Sequence, residues 1–216
     1  MKPIFITGIG TNIGKTLVSA LLTEALHADY WKPIQAGYED GTDATTVAGL
    51  ISNNESIIHP EVYRLQTPAS PHIAARNEQV EISLEAIVSA YTKIKTARPL
   101  LIEGAGGLLV PLTGKLFVAD LIKALDARVI IVSRNYLGSI NHSLLTAAYC
   151  KSNGIDVAGW IFNDDYLDYE NEIVSWSGYP SLGSVPAMKT VDQQNIRLEA
   201  AKLKDISGKL QAFAGV

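Results

Sequence analysis

Cysteine occurs once in this 216-residue chain, at Cys150, so neither an intramolecular disulfide nor a cysteine-rich metal site can form. That usage is compatible with a reducing compartment. No apolar run reaches ~18 residues, which leaves no segment that reads as a transmembrane helix and speaks against a membrane partner. Basic residues are in the minority, 18 Lys and Arg against 22 Asp and Glu, for a formal net charge of −4. That charge, without a basic stripe to neutralise a row of phosphates, argues against nucleic acid as the main partner. Repeats, low-complexity tracts and linker-like shifts in composition are also missing. The first residues lead directly into an apolar strand with no signal-peptide pattern, and the expectation is a cytoplasmic protein. What is present is ordinary for a globular enzyme: 47% hydrophobic and 19% charged residues, at a length that suits one α/β domain spanning 1–216.

Apolar runs and helical periods alternate. Strands are expected near Pro3–Thr7, Asp29–Lys32, Pro99–Glu103, Val129–Ser133, Val157–Phe162 and Leu182–Val185. Helices are expected at Gly14–His27, from about Asp43 with Thr42 or Asp43 as cap, at Ile82–Thr96, Leu137–Ser152 and Ile196–Ala212. Between Ile57 and Arg76 the prolines indicate a loop leading into a short helix. Buried-looking strands alternating with helices predict a three-layer α/β/α fold with a mostly parallel central sheet. Ligands in such folds gather at the carboxyl ends of the strands.

The first strand runs into Thr7-Gly8-Ile9-Gly10-Thr11-Asn12-Ile13-Gly14-Lys15-Thr16, and a helix follows at once. Glycines permit the tight backbone that turns successive N–H groups toward phosphate oxygens. Lys15 adds charge at the β/γ end, Thr16 offers a hydroxyl to Mg²⁺, and the helix dipole points at the same anion. This is a phosphate-binding loop, although five residues rather than the usual four separate Gly8 from Gly14.

Other polar groups also follow strands. In Lys32-Pro33-Ile34-Gln35-Ala36-Gly37 the proline holds Lys32 extended, aiming a cation at the ligand edge for catalysis or anion binding. Asp43 can be read as a helix cap or, with a second acid, as a Mg²⁺ ligand. That second acid is Glu103, at the end of a buried strand and ahead of Gly104-Ala105-Gly106-Gly107. A buried glutamate calls for a cation, and glycines allow close backbone approach. Asn163 and Asp164 close a later strand and can match a purine edge or form an ordinary turn. Gly183–Met188 can line the base with backbone groups. Gly138, Ser139 and Asn141 open a helix whose N–H groups suit a carboxylate, and Ser139 alone suits a plain cap. Cys150, Trp31 and Trp160 read as packing residues, and His142 as a packed or capping one.

This ordered set resembles the dethiobiotin synthetase family, ATP-dependent carboxylases with a P-loop NTPase-like fold. The likeness covers nearly the whole chain, including the longer Gly-x₅-Gly-Lys-Thr spacing, Lys32-Pro33-Ile34, Asp43, Ser70-Pro71-His72, Glu103–Gly107, Leu137–His142, Gly159–Asp164 and Pro186. It implies a homodimeric ligase of biotin biosynthesis acting on diaminopelargonic acid, CO₂ and MgATP. By position it implies that Lys15 and Lys32 stabilise charge on the γ-phosphate and carbamate. Thr16, Asp43 and Glu103 would hold Mg²⁺. ATP would also touch Asn12, Ile13, Gly14, Leu17, Gly104, Ala105, Gly106, Asn163, Asp164, Pro186, Ala187 and Met188. The diamine would meet Thr11, Lys32, Ala36, Ser70 and Pro71, with Gly138, Ser139 and Asn141 supplied by the partner subunit. Two positions depart from the family: Ala36 stands where a Ser or Thr is usual, with Gln35 or a water to replace the hydroxyl, and Asn12 stands where some members carry an acid.

Two other readings compete. An amide-forming ligase of the cobyrinic acid type would require a glutamine-amidotransferase domain with a nucleophilic cysteine. A partition or septum-positioning ATPase of the ParA/MinD kind would carry an extra lysine where this chain has Gly10.

Overall fold

The computed structural model describes residues 2–203 together with 205, 206, 208 and 210. Its first element, β1 (Ile4–Gly8), is buried along its whole length and leads through the glycine loop into α1 (Lys15–Leu26). There follow β2 (Asp29–Trp31), β3 (Ile34–Ala36), α2 (Asp43–Leu50), β4 (Ile58–His59), β5 (Tyr63–Leu65), α3 (Pro71–Asn77) and α4 (Leu84–Lys93). The second half runs β6 (Leu100–Gly107), α5 (Val118–Ala124), β7 (Arg128–Arg134), α6 (Ser139–Ser152), β8 (Val157–Asn163), α7 (Glu170–Ser177), β9 (Ser181–Val185) and α8 (Gln193–Lys202).

Among the described residues seven strands form one sheet, in the order β4-β2-β6-β1-β7-β8-β9, and each pairing is parallel. Parallel neighbours need crossovers, so both faces carry helices. Alternation along each strand divides the core in two. Ile4, Ile6, Tyr30 and Leu101 face α1, α2 and α8, packing with Val18, Leu22, Val47 and Ile196. Phe5, Trp31, Ile102 and Trp160 face the other layer, with Ile87 of α4, Val118 and Ile122 of α5, Cys150 of α6 and Ile173 of α7. The three-layer reading holds, and Trp31, Trp160 and Cys150 are core residues as expected.

β1 lies between β6 and β7, with the earlier strands on one side and the later ones on the other. That reversal opens a crevice at the carboxyl edge of the sheet, bordered by the glycine loop and by Glu103, which lies within β6 rather than at its end because the strand continues to Gly107.

Several elements differ from expectation. The segment after Pro33 is β3, which pairs with β5 in a separate two-stranded parallel sheet, and β4 extends the main sheet as its edge. α5 and α7 were not anticipated. The helix at Asp43 is capped by Thr42, whose hydroxyl accepts from Thr45 N–H at 3.1 Å, while the Thr45 hydroxyl accepts from Thr42 N–H at 2.9 Å. The final helix begins earlier, at Gln193, and ends at Lys202; in the remainder of the expected span to Ala212, positions 204, 207, 209, 211 and 212 lie outside the described residues.

Candidate functional site at the carboxyl edge of the sheet

The glycine loop owes its shape to two close approaches. Gly14 has φ +92°, and a Cβ there would sit 2.1 Å from Asn163 Nδ2, so glycine is the residue that both the backbone and the neighbour allow. Asn163, at the end of β8, uses that amide to donate to Ile13 O at 2.9 Å, fastening the loop to the sheet. Gly107 pairs with Gly8, and a Cβ on Gly107 would stand 3.0 Å from Gly8 O. Asn12 adopts φ +57°, a left-handed conformation that asparagine tolerates better than most residues. This gives the departure at position 12 a local reason.

Lys15 opens α1 and folds back, its Nζ donating to Gly10 O at 2.9 Å. Burial lowers its pKa to about 8, with Glu103 acting in the opposite direction. One residue on, Thr16 Oγ1 lies 3.0 Å from both Asp43 Oδ1 and Glu103 Oε1, its single proton shared between them. Lys32 Nζ bridges the same two acids, bonding Asp43 Oδ2 and reaching Glu103 Oε1 at 3.2 Å. Burial alone would lower the Lys32 pKa; the Glu103 and Asp43 carboxylates outweigh it and raise it. The other Glu103 oxygen, Oε2, accepts from Ser19 Oγ at 2.7 Å and Tyr30 Oη at 2.9 Å. Burial and then the adjoining carboxylates push the Tyr30 phenol well above its usual range, so it stays protonated and donates.

These groups share a cleft of about 910 Å³. Of the residues expected from the sequence, it brings together Thr11, Asn12, Gly14, Lys15, Thr16, Lys32, Ala36, Asp43, Ser70, Pro71, Glu103, Ala105 and Gly106. Ile13 is buried behind the loop, Leu17 packs on the α1 side of the core, and Gly104 lies against Phe5. Asp164 pairs with Arg134 at 3.1 Å. Pro186, Ala187 and Met188 follow β9 next to the end of β8. Gly138, Ser139 and Asn141 are not among the residues lining this cleft. Ser139 is buried and bonds Tyr169 Oη at 2.6 Å, and the N-cap of α6 is Gly138, so Ser139 is not the plain cap it could have been. Gln35, which could replace the hydroxyl absent at Ala36, also lines the cleft. Its Nε2 donates to Gly37 O at 2.8 Å and its Oε1 accepts from Asp43 N–H at 3.2 Å, so it braces the start of α2.

Pro68, Ala69 and Val110 also line the cleft, unforeseen in the sequence. Ser19 and Tyr30 were missed as well. Ser19 carried a signal, since it stands one helical turn beyond Lys15 and faces the same way.

A phosphate-binding loop between the first strand of a parallel sheet and its helix, with a buried acid on the neighbouring strand, places the chain in the class of P-loop ATPases. Solved structures agree on that fold: the Aquifex aeolicus MinC:MinD cell division complex superimposes with a TM-score of 0.60 at 13% identity, covering 98% of this chain and 96% of that one. A ParA family ATPase from Chlorobium tepidum gives 0.56 at 12% identity over 100% of both chains, and at such identities the likeness concerns fold alone. Residues 2–195 match the AAA domain family. Sequence relatives are far nearer. The chain is 50% identical over 206 residues to the ATP-dependent dethiobiotin synthetase of Cytophaga hutchinsonii, covering 95% of this chain and 98% of that one. It is 42% identical over 202 residues to the enzyme of the same name from Rhodopseudomonas palustris strain HaA2, covering 93% of each. The chain belongs to the ATP-dependent dethiobiotin synthetase family.

Proposed function

We propose that this chain, acting as one domain, joins CO₂ to 7,8-diaminopelargonic acid with consumption of ATP, giving dethiobiotin, ADP and phosphate. The observation that carries this is the meeting of Lys15, Lys32, Thr16, Asp43 and Glu103 in one cleft at the carboxyl edge of the sheet. One substrate amine attacks CO₂ and loses a proton, forming a carbamate. A carbamate oxygen then takes the γ-phosphoryl group and ADP departs. The second amine attacks the activated carbonyl, and phosphate leaves as the ureido ring closes.

Such a sequence needs positioning and charge stabilisation more than covalent help from the protein. The loop amides and Lys15 are suited to the phosphate chain. Lys32 is suited to the carbamate and to the charge that develops during transfer. Asn163, Asp164 and the backbone of Pro186–Met188 are proposed to meet the adenine. Thr11, Ala36, Ser70 and Pro71 border the space left for the diamine.

The donor set fits Mg²⁺. Asp43, Glu103 and the Thr16 hydroxyl are hard oxygen groups, the hydroxyl within hydrogen-bond distance of both carboxylates. Two carboxylates and a hydroxyl suit a cation that keeps waters and phosphate oxygens in its shell. When bound there, Mg²⁺ supplies charge neutralisation at the phosphates.

A homodimer is part of the reading. Leu109 and Leu145 are 54% and 61% exposed, and they border an apolar recess beside Gly8–Thr11. The start of α6 lies apart from its own chain's cleft, as a carboxylate site donated to a second copy would. Use of ATP supports a cytoplasmic location, and no described helix is long and apolar enough to cross a membrane.

The test is phosphate release by purified protein given the diamine, bicarbonate and MgATP, with the product identified by mass. Release that depends on the diamine is expected. Hydrolysis indifferent to the diamine, or none, overturns the proposal.

A further inference from the structure

We infer that Tyr30 is a positioning residue for Glu103, holding that carboxylate in the orientation that metal-nucleotide binding requires. The inference deepens the reaction proposed above and rests on that reading for its catalytic meaning.

The register of the sheet brings the two together. Tyr30 on β2 pairs with Leu101 on β6, and Glu103 lies two residues further along the same face. Tyr30 is fully buried, with its ring in the core layer beneath α1 and its hydroxyl reaching Glu103 on the neighbouring strand. A phenylalanine would fill the same space. What the tyrosine adds is one donor, and that donor goes to Glu103 Oε2.

The two oxygens of Glu103 have separate surroundings. Oε2 receives Tyr30 Oη and Ser19 Oγ, both from fully buried side chains, whereas Oε1 meets Thr16 and Lys32 at the cleft. A terminal carboxylate rotates easily about its last torsion. Two hydroxyl donors on the inner oxygen oppose that rotation and leave the outer oxygen turned toward Thr16 and Lys32. Such outer-sphere donors orient a ligand without touching what it binds. Tyr30 comes from β2 and Ser19 from α1, so Glu103 is held from two elements at once.

The test compares Tyr30→Phe and Ser19→Ala with the unaltered chain. Calorimetry would measure ADP binding in EDTA and Mg²⁺ binding to the protein–ADP complex, with KM for the diamine and kcat measured beside them. Tyr30→Phe is expected to weaken Mg²⁺ binding by about ten- to a hundredfold. Metal-free ADP affinity and KM for the diamine should stay as they were, while kcat falls at limiting Mg²⁺ and recovers at high Mg²⁺. Ser19→Ala should move Mg²⁺ binding in the same direction. Unchanged Mg²⁺ affinity in Tyr30→Phe overturns the inference. So does an equal loss of ADP affinity with and without metal, which would mean a distorted loop. Should Tyr30→Phe not fold, Ser19→Ala decides, because it unlocks the same oxygen from the other side. A chain that makes no dethiobiotin yet shows the Mg²⁺ shift keeps this inference and loses the proposed reaction.

Discussion

Lys15 and Lys32 are both buried lysines at the cleft, and their partners differ in kind. Lys15 donates to a backbone carbonyl of its own loop, whereas Lys32 pairs with two carboxylates. A phosphate oxygen can therefore replace a neutral partner at Lys15 and gain an ion pair. Truncating that residue removes an interaction strongest when charge gathers on the transferred phosphoryl group. Lys15→Ala is expected to lower kcat/KM by at least a hundredfold, about 3 kcal/mol. Steady-state kinetics would show it, and unchanged turnover would remove Lys15 from the mechanism. At this scale much was legible, because Gly14, Lys15 and Thr16 are contiguous and Glu103 announces itself as an acid ending an apolar strand. The donors on its inner oxygen were not. Ser19 and Tyr30 stand 84 and 73 residues from Glu103, and only the sheet order makes them neighbours. Gln35 does two things that its sequence position does not separate: it lines the cleft and it braces the backbone around it.

Among the elements, β2 carries Lys32 just past its end, so whatever fixes β2 also fixes that lysine. Asp29 at its start is fully buried and accepts from Ile57 N–H and from Arg98 Nε, each at 2.9 Å. Burial raises its pKa, but the bonds from Ile57, Thr96 and Arg98 win and leave the carboxyl below the usual range. A depressed carboxylate pKa adds stability that is complete above the ordinary Asp value and fades as pH falls through the folded value. Asp29→Asn is accordingly expected to destabilise the chain by about 1–3 kcal/mol at neutral pH. Denaturant titrations should show the gap closing in acid, and a constant gap would contradict the assignment. Long apolar strands such as Arg128–Arg134 were readable because tertiary burial matches their composition. The two- and three-residue strands β3, β4 and β5 were not, being too short to show a period. α5 and α7 escaped for a related reason: at seven and eight residues each spans only about two turns.

For the whole molecule, the parallel sheet could be anticipated from alternating strands and helices, whereas strand order, with its reversal at β1, could not. Order depends on which faces pack, and sequence does not state it. The cleft assembled around β1 and β6 lacks the α6 terminus, and this bears on assembly. If a second copy supplies Gly138–Asn141, two variants defective in opposite halves should rescue one another. Lys15→Ala and Asn141→Asp, each poorly active alone, are expected to regain dethiobiotin formation when mixed under subunit exchange; an unrescued mixture would show that each chain works alone. The Lys32 bridge has a further consequence for how nucleotide arrives. Lys15, Lys32, Asp43 and Glu103 sum to zero charge, within a protein whose formal charge is −4. Four site charges that cancel give little net pull on an approaching polyanion, so they contribute little steering to the encounter. Nucleotide meets the loop by ordinary diffusion, and discrimination begins at contact, when one set of ion pairs is exchanged for another.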